Sequence, residues 1–326
     1  MEKIAYYFDA DFETDLFANK VPSYKNNRFN HFFEHLLFFI QPETVFSMRK
    51  YSHDYLRWVQ TKISHELDIS SDKELILKPF QGERINIDLQ KKWQNKVEVY
   101  RLLKENTILP EGTKTVVKGD PFIEGKLYKS PYSSSGMGHM IFPRDKAKIL
   151  KALDQSKVLL EEVIRNRCLD FSNLIIDGHS YLYETVVDKY FHFKGCIFSD
   201  DFKLPKHLLK DYEQTVSIVK KAIGEYNGVY SIDSYLFTHG GQVELYPACE
   251  INMRKTMSFC ALKLKELFAP QSKYFEFCIE KSRYANTTRE SDFHIRLSPD
   301  DNFFQIFIWY GKSKEEVQNH KLRIFR

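Results

Sequence analysis

The sequence predicts an α+β protein in which a small α/β domain precedes a larger one. Strand-like and helix-like apolar runs alternate over residues 1–86, a pattern typical of a small parallel sheet covered by helices. Later in the chain strands and helices come in groups, and residues 228–254 form two strand-like runs separated by Gly240-Gly241, a hairpin turn signal. The 326 residues suffice for two domains or for one large one.

The elements of the N-terminal domain follow from apolar spacing. Residues 3–8, 44–48 and 74–80 are short apolar runs that predict buried strands. Residues 28–40 and 52–67 carry apolar side chains at every third or fourth position, which predicts helices.

In the second domain a helix is predicted over 86–106, ending before Pro110 and Gly112. A strand, "GKLYKSPY", leads into a Ser/Gly loop, and the spacing over 144–167 predicts another helix. The remaining predicted elements are strands at 180–187 and 190–199, a helix at 204–223, the hairpin at 228–254, and a terminal strand with a short polar helix.

Composition excludes several classes of protein. Hydrophobic residues make up 43% and charged residues 28%, which is ordinary for a globular protein. The net charge of +4 is mild, so the sequence predicts no nucleic-acid partner, which would require a strong basic cluster. The most apolar run, "FFEHLLFFI" at 32–40, is too short to span a bilayer and contains Glu34 and His35. We therefore predict no membrane partner.

Cysteine usage and the N-terminus predict a cytoplasmic protein. The five cysteines are odd in number, scattered and without a CxxC pair, which favours reduced thiols over a disulfide framework. The first residues, "MEKIAYYFDADFE", are acidic and lack the apolar core of a signal peptide.

The stretch from Lys129 to Met140, "KSPYSSSGMGHM", has two interpretations. Serine and glycine build no core, so the stretch fits a solvated linker. It also fits a loop that folds over a polyanion, with Lys129 held on the strand beneath. The stretch alone does not distinguish them.

The end of the predicted hairpin groups oxygen ligands. Asp233 lies on the first strand, and Glu250 and Asn252 lie on the second. Because strand side chains alternate, Glu250 and Asn252 share a face that Asp233 can reach. Two carboxylates and an amide oxygen suit Mg²⁺ held beside phosphates, and Arg254 continues the alternation with a planar cation. The alternative is a solvated strand face.

The order of these features resembles the ATP-grasp superfamily, which includes D-alanine–D-alanine ligase, glutathione synthetase and the biotin carboxylases. A lysine strand, a Ser/Gly loop, two further strands, a helix and a hairpin ending Glu-x-Asn-x-Arg follow one another over roughly 87–270. "KSPYSSSGMG" and "CEINMRKTM" are close to forms in bacterial members of unassigned substrate. The resemblance implies an ATP-grasp domain over 87–326 that uses ATP and Mg²⁺, and residues 1–86 resemble the small α/β domain that commonly precedes it. It also implies an ADP-forming ligase that joins a small-molecule or peptide carboxylate to an amine or thiol through an acyl-phosphate; a homodimer stays open.

The resemblance also implies roles for single residues. Lys96 and Lys129 match two nucleotide-contacting lysines, Lys129 on the α- and β-phosphates, and Glu184 and Asp188 fall at the adenine and the ribose. Asp233, Glu250 and Asn252 match the magnesium ligands, and Arg254 acts with Lys129 on the transferred phosphoryl group. The loop over the triphosphate corresponds to Ser133, Ser134, Ser135, Gly136, Met137 and Gly138. Relatives often have Arg where this chain has the uncharged Met137.

Three alternatives to the ligase remain. One is a phosphotransferase with the same fold, and another, suggested by Met137, is a nucleotide-binding protein without turnover. The third is a zinc peptidase, because His31-Phe-Phe-Glu34-His35 fits the HxxEH pattern of the inverted zincins. The competing interpretation of that motif is two partly exposed histidines.

Overall fold

The computed structural model describes residues 3–82, 86–133, 138–284 and 286–325. Its N-terminal strands are β1 (Ile4–Tyr7), β2 (Thr44–Phe46), β3 (Ile69–Ser70) and β4 (Ile76–Pro79). They form a parallel sheet in the order β3-β2-β1-β4. The three predicted strands are present, and β3 is a two-residue addition too short for a sequence pattern to reveal.

The N-terminal helices are shorter than predicted. They are α1 (Phe12–Phe17), α2 (Arg28–Phe33), α3 (Leu37–Ile40) and α4 (His53–Gln60). A 3-10 turn at Glu34–Leu36 separates α2 from α3, so the single helix predicted over 28–40 is wrong. The helix predicted over 52–67 ends at Gln60, whose side chain bonds the backbone of His65 and Leu67 and so stabilises a non-helical turn.

A small antiparallel sheet follows, covered by one helix. Its strands are β5 (Thr113–Val117), β6 (Lys126–Lys129), β7 (His139–Ile141) and β8 (Val158–Val163), in the order β5-β8-β6-β7. The segment before it holds α5 (Ile87–Gln94) and α6 (Lys96–Glu105), and α7 (Lys146–Ser156) packs on the sheet.

The helix predicted over 86–106 is interrupted at Asn95. The backbone of Asn95 is extended (φ −78°, ψ 111°), and its side chain accepts a hydrogen bond from the Val97 N–H. An asparagine that satisfies a free helical N–H favours a new helix start. The break places Lys96 at the first position of α6.

The helix predicted over 144–167 is also wrong in its second half. Helix α7 ends where Lys157 adopts the left-handed conformation (φ 66°), and Val158–Val163 then forms β8 between β5 and β6. A short apolar run fits a buried strand as well as a helix, and here pairing on both sides selects the strand. This correction brings Glu162 into the sheet that carries Lys129.

The larger sheet has nine strands in the described part of the chain, and neighbouring strands run antiparallel. They are β9 (Asn166–Ile176), β10 (His179–Val187), β11 (Phe193–Ser199), β12 (Tyr230–His239), β13 (Gln242–Asn252), β14 (Tyr274–Lys281), β15 (Glu290–Ser291), β16 (His294–Arg296) and β17 (Phe304–Gly311). Their order is β13-β12-β9-β10-β11-β14-β17-β16-β15. The predicted hairpin is β12–β13, and its turn has positive φ at both Gly240 (58°) and Gly241 (80°), as a two-residue hairpin turn requires.

The N-terminal part and the large sheet share one core. Leu36 and Phe38 belong to the same buried cluster as Ile306 and Ile308 of β17. The large sheet also carries α8 (Lys206–Ile223), α9 (Met257–Phe268), a 3-10 turn (Ser282–Tyr284) and α10 (Lys314–Ile324). The chain passes from β4 to α5 near residue 86, and the domain boundary there stays a prediction.

The apolar run at 32–40 contributes to that core, with Leu36, Leu37 and Phe38 fully buried. Among the helices of the described ranges, none combines the length and the apolar character needed to cross a bilayer. None of the five cysteines, all of which lie in those ranges, forms a disulfide.

Candidate functional site

A cleft lies between the small and the large antiparallel sheets. Strands β6 and β7 line one side with Lys129 and His139, and β9, β10, β12 and β13 line the other. The structure brings six of the predicted site residues to this one cleft: Lys96, Lys129, Asp233, Glu250, Asn252 and Arg254.

The three predicted metal ligands lie together at the end of the β12–β13 hairpin. Asp233 and Glu250 are directly opposite each other in register, and the Asn252 amide donates to Asp233 Oδ2 at 2.9 Å. Burial, followed by the nearby charge of Glu250, raises the pKa of Asp233 to about 7. Like charges opposite each other across a strand pair are unfavourable. A cation at this position would therefore be stabilised.

Lys96 connects this carboxylate pair to the start of the Ser/Gly loop. Its Nζ lies 2.9 Å from Glu250 Oε1 and donates to the Ser133 carbonyl at 2.5 Å. The Lys96 backbone N–H donates to the Pro131 carbonyl at 2.9 Å. Lys96 is only 3% exposed, so its ammonium group is held in a fixed position at the edge of the cleft.

Lys129 is paired with a residue that sequence reasoning missed. Its Nζ lies 2.7 Å from Glu162 Oε2, and the two side chains are 2% and 1% exposed. Tyr246 donates to the other Glu162 oxygen at 3.1 Å. Burial opposes ionisation of Glu162, but the charge and hydrogen bond of Lys129 outweigh it, so the pKa of Glu162 is lowered. The sequence signal that could have revealed Glu162 is the pair of acids inside the apolar run "VLLEEV".

Arg254 is held by a residue of helix α1. Its Nε and Nη2 both lie 2.7 Å from Glu13 Oε1. Glu13 lies on α1, which no motif predicted, and it is separated from Arg254 by 241 positions in sequence. A fixed guanidinium group therefore stands at the end of the cleft, beyond Asn252.

Glu184 and Asp188 do not line the cleft. Tyr183 and Thr185 line it, so strand alternation directs Glu184 to the other face of β10. The chain joins the two sheets between β8 and β9, at residues 164–165, and the expectation that Glu184 lies at this join is wrong. The Asp188 carboxylate accepts from the backbone N–H groups of Tyr190 and His192 and so stabilises the turn after β10.

Only the two ends of the predicted phosphate loop are described. The Ser130 N–H donates to the Gly138 carbonyl at 3.2 Å, and a Cβ at Gly138 would overlap the Ser133 side chain. Glycine is therefore required where the loop returns. The residues in between, Ser134, Ser135, Gly136 and Met137, lie outside the described residues.

Sequence reasoning also missed Arg167. It lines the cleft, pairs with Asp170 at 2.8 Å, and its guanidinium carbon lies 3.8 Å from the centroid of the Tyr235 ring. The residue lies on β9, a strand that the apolar pattern did not predict. It adds a fourth cation to the cleft.

The cleft fits an anionic ligand with a divalent cation. Three of its buried polar atoms have no hydrogen-bond partner in the described part of the chain: His139 Nδ1, Ser231 Oγ and Thr256 Oγ1. Buried polar atoms are normally paired, so these three have capacity for a ligand. Burial, and then the charges of Lys129 and Lys96, lower the pKa of His139 to about 2. The imidazole is therefore neutral.

The oxygen ligands fit Mg²⁺ in particular. Within the described ranges, no three or more His, Cys, Asp and Glu side chains group into a metal site. The hairpin trio, Asp233, Glu250 and Asn252, offers two carboxylates and one amide. A protein that binds Mg²⁺ beside a nucleotide supplies only a few oxygen ligands, and phosphate oxygens and water complete the octahedron.

The HxxEH motif has a packing role. His35 Nε2 lies 3.1 Å from Ser298 Oγ, and the Glu34 carboxylate accepts from Ser47 and Tyr51 at 2.8 and 3.0 Å. Both residues are fully buried, and burial holds the pKa of His35 well below its usual range. The zinc-peptidase alternative is therefore not supported.

Comparisons with known proteins identify the fold. No protein-family model matches the sequence, and no curated protein matches it. Among solved structures, the chain is similar to N5-carboxyaminoimidazole synthetase from Staphylococcus aureus complexed with ADP, with a TM-score of 0.54 and 12% identity over 99% of this chain and 90% of that one. It is also similar to L-amino acid ligase from Bacillus licheniformis, with a TM-score of 0.54 and 10% identity over 99% and 96% of the two chains.

A third similar structure is carboxyaminoimidazole ribonucleotide synthase from Aspergillus clavatus complexed with ATP. Its TM-score is 0.53 at 13% identity, over 98% of this chain and 96% of that one. The chain therefore has the ATP-grasp fold, with a small parallel α/β unit in front of it. The predicted fold class is confirmed.

Proposed function

We propose that this chain is an ATP-dependent ligase that joins a carboxylate to an amine or thiol and releases ADP and phosphate. The observation that carries the proposal is the convergence of Lys96, Lys129 and Arg254 with a carboxylate–carboxylate–amide set in one cleft. Cations suit a polyphosphate, and hard oxygens suit a divalent cation. The similar structures, which match nearly the whole chain, are named as a ligase, a synthetase and a synthase, and two of them were solved with ADP or ATP.

The cations have partners that ligand oxygens could replace. Lys129 is bound to Glu162, and Lys96 to Glu250, so both ammonium groups are already oriented before a nucleotide arrives. Asp233, Glu250 and Asn252 would hold Mg²⁺, which supplies charge neutralisation of the phosphates. Preorganised charges of this kind need little rearrangement when the nucleotide binds.

The chemistry that we propose needs no side-chain nucleophile. A substrate carboxylate attacks the γ-phosphorus of ATP, which gives an acyl-phosphate and ADP. The amine then attacks the acyl carbon, and phosphate leaves. Arg254 and Lys129 stabilise the charge on the transferred phosphoryl group. Cys249 lines the cleft, but burial raises the pKa of its thiol to about 12, so it is protonated at neutral pH and a poor nucleophile.

We propose small-molecule or peptide substrates and a reducing, cytoplasmic location. The five unpaired cysteines support the location, because free thiols persist in reducing compartments. A homodimer stays a prediction.

Products distinguish the ligase from its alternatives. With ATP, Mg²⁺ and a panel of amino acids and peptides, the protein should release ADP and inorganic phosphate only when a suitable carboxylate is present. Hydroxylamine should trap the acyl-phosphate as a hydroxamate, which mass spectrometry detects.

Other products would contradict the ligase. ADP with the phosphate retained on a stable product, and no hydroxamate, would identify the phosphotransferase. AMP with pyrophosphate as products would contradict both the ligase and the phosphotransferase. ATP binding without turnover across the panel would favour the nucleotide-binding protein suggested by Met137.

A further inference from the structure

Helix α1 contacts two residues at or beside the cleft, Arg254 and Tyr132. Glu13 and Phe17 are one helical turn apart, so their side chains lie on the same face. Glu13 binds the Arg254 guanidinium. Phe17 stacks on Tyr132, with ring centroids 3.8 Å apart and an interplanar angle of 28°. One face of a six-residue helix therefore contacts Arg254, which lines the cleft, and Tyr132, which is bonded to the residue before Lys96.

The Phe17–Tyr132 stack reaches Lys96 through the backbone. Tyr132 lies between Pro131 and Ser133, whose carbonyls accept hydrogen bonds from Lys96 N–H and Nζ. The neighbouring Asn95 amide donates to the Tyr132 hydroxyl at 3.1 Å. The segment around Tyr132 thus contacts Lys96 both at its backbone N–H and at its ammonium group, which Glu250 also binds.

Glu13 contacts a cation of the cleft, Arg254, without an intervening residue. The side chains of Glu13 and Arg254 are 10% and 18% exposed. A nearly buried guanidinium group needs a hydrogen-bonded partner to hold its charge and orientation. Glu13 supplies that partner from α1.

We propose that α1 is a positioning element for the cations of the cleft: Glu13 orients Arg254, and Phe17, through Tyr132, orients Lys96. The N-terminal domain thereby fixes two of the charges that act on the nucleotide. This inference rests on the proposed function for what the cations do, and on the described contacts for how they are held.

The first test separates kcat from KM. Glu13→Gln keeps the size of the side chain but removes its charge, so Arg254 loses its fixed orientation. We expect kcat for ATP turnover to fall about 100-fold, the effect of a small misplacement of a reacting group, while KM for ATP changes less than about threefold. Arg254→Met should lower kcat at least as much, and the double variant should be no worse than Arg254→Met alone, because groups that act as a unit are not additive.

The matched control is Glu74→Gln, which removes an exposed acid of the same domain and should leave both constants unchanged. Wild-type kcat in Glu13→Gln, or a double variant whose losses multiply, would overturn the role of Glu13.

The second test needs no turnover. The Lys96 amide donates to the Pro131 carbonyl. In the nucleotide-free full-length protein, Phe17→Ala should speed hydrogen exchange of this amide by about tenfold, because that is the factor expected for the loss of an aromatic pair. Phe29→Ala removes another aromatic ring of the N-terminal domain, 61% exposed, and should leave that amide unchanged. Equal exchange in wild type and Phe17→Ala would overturn the role of Phe17.

A wild-type protein that never consumes ATP would contradict the proposed function, while the exchange result would still decide whether α1 holds Lys96.

Discussion

Lys129→Met is expected to abolish ATP consumption and to destabilise the protein by about 3–5 kcal/mol, because it leaves a buried charge without its partner. Glu162 is 1% exposed, and Lys129 lies 2.7 Å from it. Urea denaturation measures the free energy of unfolding, and ADP release measures turnover.

The double variant Lys129→Met/Glu162→Gln separates the two effects. It removes both charges of the pair, so most of the stability should return, since replacing both partners of a buried pair costs far less than removing one. ATP consumption should stay absent because the phosphate-binding cation is still missing. Activity restored together with stability would mean that Lys129 has only a structural role.

Glu250→Gln should lower ATP turnover at least about 100-fold, since metal sites lose comparable factors even when a supporting partner of a ligand is changed. The carboxylate charge opposite Asp233 is lost, whereas the Gln oxygen can still accept from Lys96. Lys96, which is 3% exposed, keeps a hydrogen bond but loses its opposite charge, so some loss of stability is expected, and urea denaturation measures it beside turnover. Turnover is measured over a Mg²⁺ titration, in which the variant should need more Mg²⁺ than the wild type.

Glu244→Gln is the matched control for this variant. Glu244 lies on the same strand, β13, and pairs with His239 away from the cleft. Its removal should leave turnover and Mg²⁺ dependence at the wild-type level. A Glu250→Gln protein as active as Glu244→Gln would exclude Glu250 as a metal ligand.

The ligand set of the hairpin was predictable because it depends on local geometry. Alternation along one strand puts Glu250 and Asn252 on the same face, and the Gly240-Gly241 turn returns that strand to Asp233. Asn252 is only 6% exposed and bonded to Asp233, so we expect Asn252→Ala to cost about 1 kcal/mol.

The partners of the cations were not predictable, because they depend on pairing between distant segments. Glu162 was assigned to a helix, since a short apolar run does not distinguish a buried strand from a helix. The same error hid the join between the two sheets at 164–165, where the resemblance had placed Glu184 instead. Glu13 lies on a helix of only six residues, too short for a periodic pattern, and it meets Arg254 only through tertiary packing.

The central claim is that one nucleotide binds in the cleft between the two antiparallel sheets, with its metal on the hairpin trio. A crystal structure of the full-length protein with Mg²⁺ and a non-hydrolysable ATP analogue tests it most directly. We predict phosphate oxygens within hydrogen-bond distance of Lys96 and Lys129, and Mg²⁺ at about 2.0–2.1 Å from oxygens of Glu250 and Asn252. A nucleotide bound outside this cleft, or a metal without contact to Asp233, Glu250 or Asn252, would contradict the account.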